Sequence, residues 1–424
     1  MNKNRIFINV LLVTFFIGCG PVQAAGLTLQ DLIMQATTSY PDVLARQSDQ
    51  NAASNDLLAS KLRWLPAVTI GKQNNNVAFS NGTSGYLPST SLQASIPVFT
   101  FGGDWATYKK AKADLSVADY SLMETRADIT RKVINAYSEW YKSYLKCLAL
   151  EYAKKQSEQL VVLITRRYEA GIAPLSEQSL GISRLEQAKA DLEDQLTNEK
   201  KSLAVLAQLA GQPISRADLV GSVARPLKAP PRDDILNNAL EYNPTVNKLK
   251  QQAESSERAA EVARAQALPQ ISFQAQRQIG NSYAPGYPGY NALGLVLQYQ
   301  GGGGFAGVAT TFSAYDKSKT AAIVIETSKR DLTTTVNTDY DSYESGINRV
   351  KSLTEAEALT NSVSQSYDRQ YMIGKKGWID LLNSIRETVI AKSNLADAKG
   401  NLIGSSWRLI TYSDGNINWD DARK

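Results

Sequence analysis

The chain has 424 residues, with 46 Lys and Arg against 41 Asp and Glu, and no histidine. The lack of histidine removes His-based triads, His-ligated metals and histidine pH switches, while two cysteines, Cys19 and Cys147, cannot build a zinc cage or a disulfide framework. A net charge of +5 without a concentrated basic stripe is no nucleic-acid footprint, so neither cofactor, metal nor nucleic acid is expected.

Residues 1–24 read as an export signal. Lys3 and Arg5 form a basic start, Ile6 to Ile17 is a largely apolar stretch, and Val22-Gln23-Ala24 offers small residues for cleavage. The stretch is too short to span about 30 Å of hydrocarbon. Gly18-Cys19 offers a lipidation alternative, with Phe16 where a smaller aliphatic residue is usual. Cleavage after Ala24 leaves Cys147 as the lone cysteine, which suits an oxidising compartment. No later segment has 18 consecutive apolar residues, so the exported chain is either soluble or a β-barrel, whose alternating strands give a weak hydropathy signal.

The rest of the chain reads as one unit written twice. An offset of 203 pairs Pro41 with Pro244, Leu65-Pro66 with Leu268-Pro269, Tyr168 with Tyr371, Gly171 with Gly374, and Ala188-Lys189 with Ala391-Lys392. Residues 25–224 form the first repeat, 225–231 a Pro-rich linker, and 232–424 the second repeat with a C-terminal segment. Each repeat opens with a predicted helix of 35 to 40 residues that proline ends at Leu-Pro. The period then changes. Ala67-Val-Thr-Ile-Gly71 and Gln270 to Gln276 alternate as half-buried strands do. Turn-rich loops, Ser80–Gly85 and Asn281–Gly289, lead to return strands at Ser89–Phe99 and Asn291–Gln300. Strands of ~10 residues suit a tilted membrane crossing. A proline-free helical tract runs next from Trp105 to Tyr168, Gly171 breaks it, and Pro174 starts another reaching Ala210. Leu185, Ala188, Leu192, Leu196, Leu203 and Leu206 lie on it at coiled-coil spacing.

Two strands per repeat give four per chain. Transmembrane barrels begin at eight strands and a sheet edge cannot face lipid, so other copies of the chain must complete the barrel. Three copies supply twelve strands.

This plan resembles the TolC family of outer-membrane channel proteins over essentially the whole mature chain. The resemblance is carried by the two Leu-Pro boundaries, by the junction Ile96-Pro-Val-Phe-Thr-Phe-Gly-Gly103, and by the tips Arg167-Tyr-Glu-Ala-Gly-Ile172 and Gln370-Tyr-Met-Ile-Gly-Lys375. It implies a mostly α fold with membrane β: a homotrimer whose 12-stranded β-barrel, four strands per chain, continues into a long α-helical coiled-coil barrel. An equatorial band would be built partly from the C-terminus. It implies location in the outer membrane, in contact with lipid and extending into the periplasm, with a periplasmic adaptor and an inner-membrane ABC exporter or proton-driven pump as partners. Such a duct is passive and not an enzyme. Leu295 to Gly304, with its four glycines, is similar to the junction of a subgroup serving type I secretion of large adhesins. A phosphate-cradling loop is the rival reading, but no Gly-Lys-Ser/Thr follows.

Carried over residue by residue, the resemblance implies a periplasmic gate at Tyr371, Lys376, Asp380 and Asn383 on the second tip and Glu177 on the first. Lys376 stands where the family often has arginine, so a bond to Glu177 would be a point contact rather than a fork. Asn383 replaces a second aspartate, which leaves one ring of three Asp380 carboxylates to favour cations. Gly171, Ile172, Gly374 and Lys375 are the candidate adaptor-docking positions. Trp64, Phe99, Phe101 and Trp105 fall at the predicted barrel ends, as interfacial aromatics or as junction packing. A multidrug efflux duct is the alternative cargo reading, and a periplasmic adaptor, which usually carries one hairpin rather than two, the remoter one.

Overall fold

A computed structural model describes residues 26–78, 84–280, 289–299 and 306–413. The export signal with Cys19, much of both loops, Gly301–Gly304 and the C-terminal residues after 413 lie outside them. The elements run α1 (Leu29–Ser39), α2 (Pro41–Leu62), β1 (Ala67–Ala78), β2 (Ser84–Phe99), α3 (Gly103–Glu169), α4 (Leu175–Ala210), α5 (Arg216–Val220), α6 (Arg232–Tyr242), α7 (Pro244–Gln266), β3 (Gln270–Gly280), β4 (Gly289–Gln298), α8 (Ala306–Met372) and α9 (Trp378–Ser413). The offset of 203 maps α3 onto α8 and α4 onto α9 residue for residue at both ends.

The single opening helix expected in each repeat is two helices. Proline at the first helical position has no N–H to give and pushes the preceding residue out of the α region. Tyr40 is accordingly extended (φ −66°, ψ 135°), and α2 starts at Pro41. Asn243 does the same before Pro244 (φ −59°, ψ 123°), where its side chain accepts the N–H groups of Thr245 and Val246 at 3.0 and 3.3 Å. The break turns α1 and α6 onto the bundle while α2 and α7 run towards the sheet.

The four strands form one antiparallel sheet in the order β1-β2-β3-β4, with the central β2–β3 pair joining the two repeats. Return strands differ from expectation at their ends, β2 beginning at Ser84 and β4 ending at Gln298. At the β2–α3 junction Phe101 takes a left-handed conformation (φ 51°) and Gly102 follows it (φ 81°), folding the chain sharply from strand into helix. Phe99 meets Phe101 edge-on at 4.7 Å, and Trp64, Trp105 and Tyr108 pack together beside them. The expected junction aromatics thus sit where sheet meets helix.

α3 and α8 are each 67 residues, about 100 Å at 1.5 Å per residue. Beside the sheet-proximal half the helices lie in the order α2–α3–α7–α8, and beside the distal half α4–α3–α9–α8. The leucine seam of α4 is buried or half-buried against α3 throughout. Where α3 meets α9, Gly400 and Gly404 let the helices touch, and Ser138 Oγ donates to the Gly400 carbonyl at 2.6 Å. A Cβ on Gly400 would stand 3.0 Å from the Ser138 carbonyl oxygen. The Pro-rich segment 225–231, the linker between the repeats, also acts as a strap. Ala224 N–H donates to Tyr137 Oη at its start, Ala229 N–H to Tyr343 Oη near its end, and Trp407 Nε1 to the Arg225 carbonyl.

One chain is an open curtain. α3 buries 17 residues and α8, its counterpart of equal length, only Val336, Ser364 and Tyr371. Phe312, Ile323 and Leu359 stay more than 60% exposed on α8. The open edges coincide in every layer: β1, α2 and α4 on one side, β4 and α8 on the other.

Cys147 lies within the α3–α4 seam, fully buried, beside Glu199 of α4 and Arg216 of α5. Burial, then the Glu199 carboxylate, pushes its thiol up to about 12. The thiol is therefore protonated and enclosed at neutral pH, and thiolates, not thiols, attack. The folded protein is expected to resist maleimide at pH 7–8 and to label fully in denaturant, as mass spectrometry would read.

Candidate functional site: the paired helix tips

The sheet-distal end is built from two helix–turn–helix tips of one backbone design. In the first, Gly171 is left-handed (φ 73°), its N–H bonds the Tyr168 carbonyl at 2.9 Å, and the Ile172 N–H reaches back to Arg167 at 2.9 Å. In the second, Gly374 has φ 73°, bonds Tyr371 at 3.0 Å, and Lys375 reaches back to Gln370 at 2.9 Å. This is the six-to-one closure that satisfies the last carbonyls of a helix, and its left-handed residue is glycine because a Cβ is strained there. The candidate docking residues Gly171, Ile172, Gly374 and Lys375 are all exposed at the apices. They are flanked by Leu175, Met372 and Ile373, exposed apolar side chains that the sequence reading passed over.

The tips share a core inside one chain. Leu160 and Ile164 of α3 pack with Tyr371, Trp378, Leu381 and Ile385 of the second tip. Buried Gly181 on α4 leaves room there, for a Cβ would meet Ile164 at 3.4 Å and Trp378 at 3.9 Å. Tyr371 is in this core, 4% exposed, rather than on the rim. The Arg167 guanidinium lies over its ring at 5.0 Å, and its buried hydroxyl has no hydrogen-bond partner within the chain.

The charged residues are at the surface. Lys376 Nζ lies 3.7 Å from Asp380 Oδ2 and 4.5 Å over the Tyr367 ring. Within the chain it makes no ion pair with Glu177 among the described residues. Asp380 occupies the first turn of α9 and Glu177 the first turn of α4, where the helix dipole favours a negative charge. The two positions are 203 apart, so the duplication makes them equivalent and gives each chain two tip carboxylates in like settings. The offset could have revealed this from sequence. Asn383 faces another way: with Leu180, Arg184, Asp191 and Arg386 it lines a groove of about 240 Å³ between α4 and α9. Among the described residues no His, Cys, Asp or Glu side chains cluster as metal ligands do, and no helix is long and apolar enough to cross a membrane.

Comparison with known proteins places this architecture. The profile of the family described as "Outer membrane efflux protein" matches residues 32–212. Outer membrane protein TolC of Escherichia coli (strain K12) is 19% identical over 417 residues, covering 93% of this chain and 83% of that protein. VceC from Vibrio cholerae shares the fold at a TM-score of 0.77 and 16% identity, over 92% of this chain and 97% of that one. The Campylobacter jejuni CmeC outer membrane channel does so at 0.72 and 14%, over 100% and 96%.

The tip core makes a paired prediction. Tyr371→Phe removes a hydroxyl that bonds nothing within the chain, so the thermal midpoint should hold. Tyr371→Ala opens a cavity worth roughly 3–5 kcal/mol and should speed amide exchange at both tips, since both share the core. Hydrogen-exchange mass spectrometry checks this.

Proposed function

We propose that the chain is a passive channel of the TolC family of outer-membrane efflux proteins rather than an enzyme, and that three copies close into one duct crossing the outer membrane and reaching through the periplasm. The observation that carries this reading is the coincidence of open edges. β4 and α8 of one copy can meet β1, α2 and α4 of the next along the whole length, and such a head-to-tail contact repeats until it closes into a ring. Three sheets give twelve strands and no edge facing lipid.

The narrow end is the ring of tips. Lys376 and Asp380, together with Glu177 of a neighbouring copy, form the gate, Tyr371 holds the second tip against the first, and Asn383 lies along the α4–α9 groove. Gly171-Ile172 and Gly374-Lys375, with their apolar flanks, receive the periplasmic adaptor of a tripartite export system whose third member is an inner-membrane ABC exporter. Three Asp380 and three Glu177 carboxylates focus a negative field where the duct is narrowest. The cargo of this reading is a type I secretion protein, supported by the glycine run 301–304 in the sequence.

Detergent-extracted protein should scatter light as roughly three chain masses, and a monomer from the soluble periplasm would refute the duct. In planar bilayers Asp380→Ala should lower cation selectivity, and adding Glu177→Ala should lower it further. Unchanged reversal potentials would remove the carboxylate ring. In a host lacking its own channel, restored secretion of an ABC-exported protein supports the cargo assignment, and restored drug resistance alone assigns the duct to a multidrug pump instead.

A further inference from the structure

The two faces of the sheet differ most clearly in its helix-proximal rows. Side chains of one parity are amides and hydroxyls, such as Gln93, Ser95, Gln274, Gln276 and Gln278, and Gln93 Nε2 donates to Gln274 Oε1 at 3.2 Å. Those of the other parity are apolar and project outward, Ile70 being 74% and Leu293 76% exposed. Strand register sorts this outward face into rows. Nearest the helices, Ile271 lies level with Leu297 and Phe99, then Phe273 with Leu295 and Ile96, then Ala275 with Leu293 and Ala94. No polar side chain interrupts these three rows. In the next two rows, towards the hairpin ends, the pattern changes: Arg277 lies level with Asn291 and Leu92, and Lys72 level with Thr90 and Ile279.

Arg277 and Lys72 are the only charged residues in the four strands, and both point out. Among the described residues neither makes an ion pair or hydrogen bond within the chain. Nor can a neighbouring copy supply one from its sheet, because residues 65–103 and 268–305 contain no Asp or Glu at all. Any barrel made from copies of this sheet therefore carries outward cations with no carboxylate at their level. The helices of the channel lie in the periplasm, so the hairpin end is the extracellular one, and these two rows fall at the outer-leaflet border. Strand spacing of about 4.8 Å and a rise of about 3.4 Å per residue put the two Cα atoms roughly 12 Å apart, two strands and one row away from each other. Their apolar stems can lie along Ile70, Leu92 and Ile279 while the heads reach headgroup level.

We propose that Lys72 and Arg277, with Thr90 and Asn291 as hydrogen-bonding neighbours, form a binding site for a phosphate-bearing glycolipid of the outer leaflet, repeated once per copy around the barrel. Arg277 presents a fork that suits phosphate oxygens and Lys72 a point charge, so a lipid with two separated phosphates engages both. The site marks the level at which the protein sits in the membrane. It rests on the barrel reading above.

The test uses the full-length channel in detergent, with bis-phosphorylated lipid A and its dephosphorylated form as probes. Native mass spectrometry should show retention of lipid A at tenfold lower concentration than the dephosphorylated form. Lys72→Gln with Arg277→Gln should abolish that difference, Lys72→Arg with Arg277→Lys should keep most of it, and Lys351→Gln, exposed on α8 far from the sheet, should leave it intact. Equal retention of both lipids by the wild-type channel would overturn the proposal. So would a doubly neutralised channel that still discriminates, or an equal loss in the Lys351 variant. Should the neutralised variant fail to assemble, the wild-type comparison of the two lipids decides alone. Light scattering separates the two ideas, because a protein that is monomeric throughout refutes the duct itself.

Discussion

In hydrocarbon an unpaired N–H or C=O costs on the order of several kcal/mol, and water is not there to relieve it. β1 and β4 of a single chain each present a row of such groups, and the rest of the molecule is arranged around this constraint. α2 leads into β1 and α8 follows β4, so the strands that need a neighbour hand the same need down to the helices. α8 shows the result most plainly. It matches α3 in length yet buries three residues within the chain, which leaves the packing surface that the proposed ring would cover with another copy. In the proposed ring, sheet and curtain are completed by one rotation, and neither edge is satisfied within a single chain.

The interior follows the same logic in two chemistries. Near the equator the packing is broad and aromatic, with Tyr137 and Trp140 fully buried and the strap 225–231 tied across by tyrosine hydroxyls and the Trp407 indole. Near the tips a small apolar cluster around Tyr371 and Trp378 forms the shared core, and beyond it lie exposed charges together with the apolar side chains of Ile172, Leu175, Met372 and Ile373. The first seam also buries polar groups, Cys147 and Glu199, with Arg216 reaching in from α5. Their counterparts 203 residues later are Val350 and Leu402, so the second helix pair lacks this polar tie.

Much of this was legible in the sequence because the duplication repeats its punctuation. Proline and glycine act through backbone sterics, and Pro41, Pro66, Gly171 and their partners mark boundaries that tertiary packing does not shift. The break between α1 and α2 is not legible from Pro41 alone, since the helical pattern runs on both sides of it. The strap was missed because proline-rich composition says nothing about which side chains reach a segment. At the tips the residues were legible but their directions were not. Tyr371 points into the core and Asn383 towards a groove, and only the packing of the second tip against α3 decides that. The equivalence of Glu177 and Asp380 was available from the offset alone.

The two tips share a backbone to within a hydrogen bond, yet position by position they differ in chemistry: Ile172 stands where the other tip has Lys375. In a closed ring of three chains the rim is then sixfold in shape and threefold in charge. A threefold partner approaching it finds two seats of the same form that differ at this position, isoleucine in one and lysine in the other. Shape cannot choose between them, so the rotational setting of such a partner is decided by whether its own contact residue is apolar or acidic.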